Sequence, residues 1–217
     1  MLYSETWSID PSAKTNNSFG CNPEERPLEE LLECGVILVD KPPGPSSHQL
    51  AAWARSMLGI NRIGHGGTLD PFATGLLTLL CGRSTKITAE LLRKPKSYVA
   101  VIRFKTPVPE DELKSLVNAM KGEIFNVPPK ESAVKVQVRT REVSESRLVQ
   151  TEEGDRVHLV SISCEAGTYI RTMVKDWGLL SGNKCELLEL HRSKSGPLEG
   201  QMAVSYTHLR AHETDSY

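Results

Sequence analysis

Gly64-His65-Gly66-Gly67-Thr68-Leu69-Asp70-Pro71-Phe72-Ala73-Thr74-Gly75 is the stretch on which the reading of this chain turns. Glycines let a backbone take positive φ or approach another group closely. The proline after Asp70 stiffens the exit. Residues 60–75 therefore read as an ordered loop that holds one carboxylate in a fixed place, where catalytic groups often sit. Taken alone, the pattern is explained more simply by an Asx-type turn in which Asp70 only satisfies backbone donors.

Upstream of this loop, Arg26–Cys34 places Leu28, Leu31 and Leu32 at helical spacing, one short helix. Gly35–Lys41, GVILVDK, is a compact β-branched run and predicts a buried strand. Lys41-Pro42-Pro43-Gly44-Pro45 must turn, and Ser46 or Ser47 then caps a helix over HQLAAWARSML. Downstream, GLLTLLCG predicts a buried strand or strand–helix junction, and SYVAVIR, from Ser97, a strand. EDELKSLVNAMKGE, from Glu110, spaces Leu113, Leu116, Val117 and Met120 as an amphipathic helix. Ala133 to Val149 is β-rich, Arg156 to Glu165 a further strand, and a helix starts between Thr168 and Leu180. Strands of antiparallel type with interspersed helices make the class α+β. One domain is expected over residues 35–204, after an N-terminal extension, residues 1–34, whose first 25 residues are polar and irregular.

The formal net charge of −1 hides an asymmetry: −5 over residues 1–34, +5 over 35–204 and −1 over 205–217. A basic body with an acidic leader is compatible with a polyanionic partner but does not demand one. The five cysteines are widely spaced without a CxxC pair, so reduced thiols are expected, with no zinc site and no disulfide framework. No apolar run is long enough to span a membrane. The first residues lack a basic start followed by an apolar stretch, so the cytoplasm is the expected compartment.

The motif GHGGTLDPFATG closely resembles the catalytic motif of the TruB family of pseudouridine synthases, including its archaeal and eukaryotic dyskerin-like branch. Other segments agree in the family's order. Leu38 to His48 resembles its opening strand and loop, Lys96-Ser97-Tyr98 its K-x-Y motif, and Cys164 to Arg171 its third motif. Pro128 to Lys135 and Leu190 to Pro197 fit as well. Several colinear motifs are far more specific than one. The leader Asn22 to Pro27, the KPPGP loop, the EAGTYIR form and the short connection from Tyr98 to Glu110 point to the archaeal and eukaryotic branch. Leu198 departs from the family's usual Phe after Gly-Pro. The final VSYTHLRAHETDSY resembles no part of the family. The expectation is a truncated chain whose residues 205–217 are a non-native tail and which lacks the family's PUA RNA-binding domain.

The resemblance implies an α+β pseudouridine synthase fold, with a mainly antiparallel sheet, flanking helices and a central RNA-binding cleft. It implies isomerisation of uridine in RNA. In the dyskerin-like branch a guide RNA selects an rRNA uridine within an H/ACA ribonucleoprotein with small partner proteins. In the bacterial branch the enzyme modifies a uridine of the tRNA TΨC arm unaided. A non-catalytic RNA-binding scaffold is the rival of another class. Asp70 is the implied essential carboxylate, Arg171 its ion-pair partner, and Tyr98 the residue that stacks on the flipped base. His65, Gly67, Thr68, Leu69, Lys41 and Leu190 are implied to meet the substrate. Lys41, Lys86, Arg62 and Arg83 are candidates for phosphate contacts, with solvated surface positions an equal alternative for each. No cofactor or metal is implied.

Overall fold

A computed structural model describes residues 25–129, 134–152 and 156–205, with Ser12, Ser18 and Gly154. Helix α1 (Leu28–Glu33) leads into β1 (Val36–Lys41), α2 (Ser47–Met57), β2 (Ile63–His65) and β3 (Thr74–Cys81). A 3-10 turn and α3 (Thr88–Arg93) precede β4 (Lys96–Phe104), α4 (Glu110–Asn118) and β5 (Gly122–Asn126). Then come β6 (Arg139–Glu152), β7 (Val157–Cys164), α5 (Ile170–Leu180), β8 (Cys185–Ser195), β9 (Leu198–Glu199) and β10 (Val204–Ser205). The class is the expected α+β, with one mixed, mainly antiparallel sheet.

The strands lie in the order β10-β1-β3-β8-β4-β7-β6-β5, with β2 added beside β3 and β9 beside β8. Two pairings are parallel, β1 with β10 and β3 with β8. The second is short, Thr74 opposite His191 and Gly75 opposite Arg192, and it joins the two halves of the sheet. One core lies on each side of this join. The smaller packs α2 through Leu50, Ala51 and Ala54 against Val39, Leu77 and Leu79. The larger gathers β4, β7, α4 and α5 around Trp177, Phe104 and Ile162. Seven of the eight β3 residues are buried, so this strand is covered on both faces and reads as a continuous apolar run. By contrast β7 alternates strictly, as a strand with one buried face does.

The α2 cap resolves to Ser46, whose side chain accepts from the Gln49 amide while the Gln49 side chain accepts from the Ser46 amide. Elsewhere the structure corrects the sequence reading. The glycine-rich loop contains β2, three residues long and too short for a period to register; its Gly64 faces the Thr85 side chain. The helix expected to run from Glu110 to Glu123 stops at Asn118, and Gly122 at φ +98° already begins β5. Residues 134–138 alternate apolar and polar but form no strand: Val136 and Val138 are exposed, and β6 begins at Arg139. Strands β5, β8, β9 and β10 and helix α3 have no counterpart in the sequence reading, and β10 takes in Ser205, the first residue of the expected tail. Most of the polar leader, Ala133 and residues 206–217 lie outside the described residues. Among those described, no helix is long and apolar enough to cross a membrane.

Candidate active site

Asp70 sits on the loop between β2 and β3, and that loop is anchored from below. Lys41, fully buried, donates to the carbonyls of Pro42 (2.9 Å), Pro71 (3.0 Å) and Ala73 (2.7 Å). Gly44 N donates to Pro71 O at 2.9 Å. Ser47, the first residue of α2, accepts from Leu69 N (2.8 Å) and donates to Leu69 O (3.2 Å). The Ala73 amide goes to the Asp70 backbone carbonyl. The Asx-type turn is therefore not what holds this loop: the Leu69 amide goes to Ser47 and the Ala73 amide to the Asp70 backbone carbonyl, neither to the carboxylate.

The Asp70 carboxylate faces Arg171 instead. Arg171 Nε lies 2.9 Å from Asp70 Oδ2, with side chains 27% and 30% exposed respectively. The Nε–H is not aligned on the oxygen, so the contact is a coulombic pair rather than a directed hydrogen bond. Arg171 is held by the start of α5. Buried Asn126 at the end of β5 accepts from Tyr169 N (2.9 Å) and donates to Tyr169 O (3.3 Å). Thr172 donates to Val127 O at 2.7 Å.

A cavity of about 440 Å³ opens above this pair. Gly67, Thr68, Leu69, Asp70, Tyr98, Arg171 and Leu190 all line it, together with Lys96 and Arg192. His65 lines an adjoining cavity of about 460 Å³ that shares Thr68 and Leu92 with the first. There the His65 ring meets His48 edge to face, centroids 4.6 Å apart. Lys41 is a correction. Its ammonium is spent on three carbonyls beneath the loop, where it cannot reach a phosphate. Arg62 and Lys86 are exposed, and Arg83 lies 3.8 Å from Glu33, away from the cavity.

Burial pushes the Asp70 carboxyl above the usual carboxylate range, and the nearby charges of Arg171 and Lys41 pull it back down. Burial also raises the Tyr98 hydroxyl, opposed by Arg192. It lowers His65, helped by His48 and Arg192, and lowers Lys96 to about 8. Lys96 donates to the carbonyls of Leu91, Leu92 and Lys94, closing the end of α3 over the cavity. Asn126, Lys96, Arg192 and the anchoring hydroxyl of Ser47 were not foreseen as site residues. Lys96 and Arg192 lie inside quoted motifs, but nothing in a sequence distinguishes a buried cation from the exposed ones that are the rule.

Ser47→Ala is expected to leave the buried amide and carbonyl of Leu69 unpaired, at a cost of about 1–3 kcal/mol. The urea midpoint measures it; an unchanged midpoint would show that the loop is held without Ser47.

Comparison with solved structures finds the same fold. A structure described as a Cbf5-Nop10-Gar1 complex matches with a TM-score of 0.85 and 37% identity, over 96% of this chain and 64% of that one. One described as an H/ACA RNP bound to a substrate RNA containing 2'-deoxyuridine matches with a TM-score of 0.83 and 34% identity, over 96% and 63%. The fold is thus of the pseudouridine synthase class. Residues 55–170 match the TruB family pseudouridylate synthase N-terminal domain, and residues 4–51 the DKCLD (NUC011) domain. The chain belongs to the TruB family of pseudouridylate synthases. A protein of Thermococcus kodakarensis described as a probable tRNA pseudouridine synthase B is 41% identical over 190 residues, 88% of this chain and 56% of that protein. One of Methanothermobacter thermautotrophicus with the same description is 39% identical over 198 residues, 91% and 60% respectively. The chain therefore spans a little over half the length of such relatives.

Proposed function

We propose that this chain is the catalytic part of an RNA pseudouridine synthase, with residues 35–204 as the catalytic unit. The observation that carries the reading is the Asp70–Arg171 pair at 2.9 Å, on the wall of a cavity that Tyr98 also lines. The reaction breaks the N1–C1′ bond of uridine, turns the base and forms a C5–C1′ bond. N1 gains a proton and C5 loses one, so atoms and electrons balance without a redox cofactor. The uridine must leave its stack to enter the cavity, at a cost of a few kcal/mol. Asp70 acts ionised, either attacking C1′ or removing the C2′ proton. Arg171 keeps it ionised against burial, and Tyr98 stacks on the base. Leu190, 6% exposed, forms a wall of the pocket.

The substrate we favour is rRNA selected by an H/ACA guide RNA together with small partner proteins, in the cytoplasm. Two solved relatives are described as H/ACA assemblies. The second reading, a stand-alone tRNA synthase, rests on how the curated relatives are described. The test is tritium release from RNA carrying 5-³H-uridine, with a tRNA transcript alone, then with guide RNA and partner proteins. Release in the guided arm alone supports the first reading, and release from tRNA alone the second. Release in neither arm refutes both.

A further inference from the structure

We infer that Arg192 is a positioning residue of this site, tying Tyr98, the approach to Asp70 and the start of β3 into one rigid unit. The inference rests on the function proposed above and deepens it.

Arg192 is 1% exposed, yet its side chain reaches the cavity wall. Among the described residues no carboxylate forms a salt bridge with it. Its donors go to backbone carbonyls: Nε to Leu76 O (2.8 Å), Nη2 to Gly67 O (3.1 Å) and Nη1 to Thr68 O (3.4 Å). Tyr98 is its partner across β4 and β8, and both side chains line the cavity. A buried cation without a counter-ion is poor as a stabilising device, since well-packed apolar residues would serve as well or better. What it supplies that they cannot is a planar fork of fixed donors.

The backbone at this position is closely placed between two strands. In the sheet register Arg192 is paired with Gly75 on one side and Tyr98 on the other. A β-bulge falls beside the second pairing, between Ser97 and Tyr98. Gly75, at φ +96°, is the last glycine of the Asp70 motif, and a Cβ there would stand 2.4 Å from Arg192 O. Gly67, at φ +140°, would bring a Cβ to 3.5 Å from Nη1. Gly75 thus leaves room for the backbone of β8 at Arg192, while at Gly67 an added Cβ would make only an ordinary contact with the guanidinium. A shift of Arg192 would move the base-stacking ring relative to Asp70, and a misplacement of about 1 Å can cost about 100-fold in rate.

The experiment uses the full chain with Arg192→Met and Arg192→Lys, each alone and with Tyr98→Phe. In either Arg192 variant kcat should fall about 100-fold while KM for RNA stays within about threefold. In the Tyr98→Phe background the further loss should be much smaller, because the two residues act as a unit. The ¹³Cζ signal of Tyr98, followed by NMR without RNA, should titrate at higher pH in Arg192→Met, since the guanidinium favours the phenolate. Unchanged kcat, a loss confined to KM, equal losses in both Tyr98 backgrounds, or an unmoved Tyr98 titration would each overturn the inference. Should both Arg192 variants fail to fold, Tyr98→Phe decides. The Arg192 guanidinium signals must shift when the hydroxyl is removed, and unshifted signals overturn the inference. The NMR readouts need no turnover, so an inactive wild-type chain would refute the proposed function without touching this coupling.

Discussion

Asp70→Asn is expected to lower the rate of pseudouridine formation by at least about 1,000-fold while leaving RNA affinity within about threefold. Asparagine keeps the shape of the side chain but is neither nucleophile nor base. The loop is not expected to collapse with the substitution, because the hydrogen bonds by which Lys41, Ser47 and Gly44 hold its backbone do not use the carboxylate. Single-turnover tritium release and filter binding measure the two quantities. Turnover of the variant near the wild-type rate would remove Asp70 from the chemistry.

Arg171→Met is expected to cost about 100-fold at neutral pH and to move the acid limb of the rate profile to higher pH. Burial already holds the Asp70 carboxyl above its ordinary range, and Arg171 is the stronger of the two charges opposing this. Without the guanidinium the carboxyl rises further. The ionised fraction therefore begins to fall at a higher pH as solutions are made more acidic. Arg171→Lys, which restores a charge but not the fork, should move the limb less. Rate profiles of the three proteins decide the matter, and superimposable acid limbs would show that Arg171 does not set the charge on Asp70.

The sequence made the local elements legible where one physical signal dominated. The β-branched run of β1 is decided within a few neighbours, whereas the cap of α2 was narrowed only to Ser46 or Ser47 and β3 only to a strand or strand–helix junction. Strand β8 was not legible: polar and charged residues interrupt it, and two register shifts against β4 break its alternation. Asp70, Arg171 and Tyr98 entered as candidates through motif resemblance, because a glycine-rich loop alone is more simply read as an Asx turn. The anchors of the site stayed hidden for a different reason. Lys41, Lys96 and Arg192 are cations whose partners are backbone carbonyls, and a carbonyl carries no residue identity for a sequence to display.

The parallel join of β3 to β8 also bears on the order in which the molecule assembles. Arg192 meets the Leu76 carbonyl across 116 residues of chain, and Thr74 meets His191 across 117. Closing so long a loop costs entropy before any contact repays it. With a separate apolar cluster on each side of the join, the cavity that β3 and β8 bring together is expected to form late. Hydrogen exchange should accordingly find the amides of the β3–β8 join opening at lower free energy than those of β4 and β7. Catalytic competence would then report the completed chain rather than either half of it.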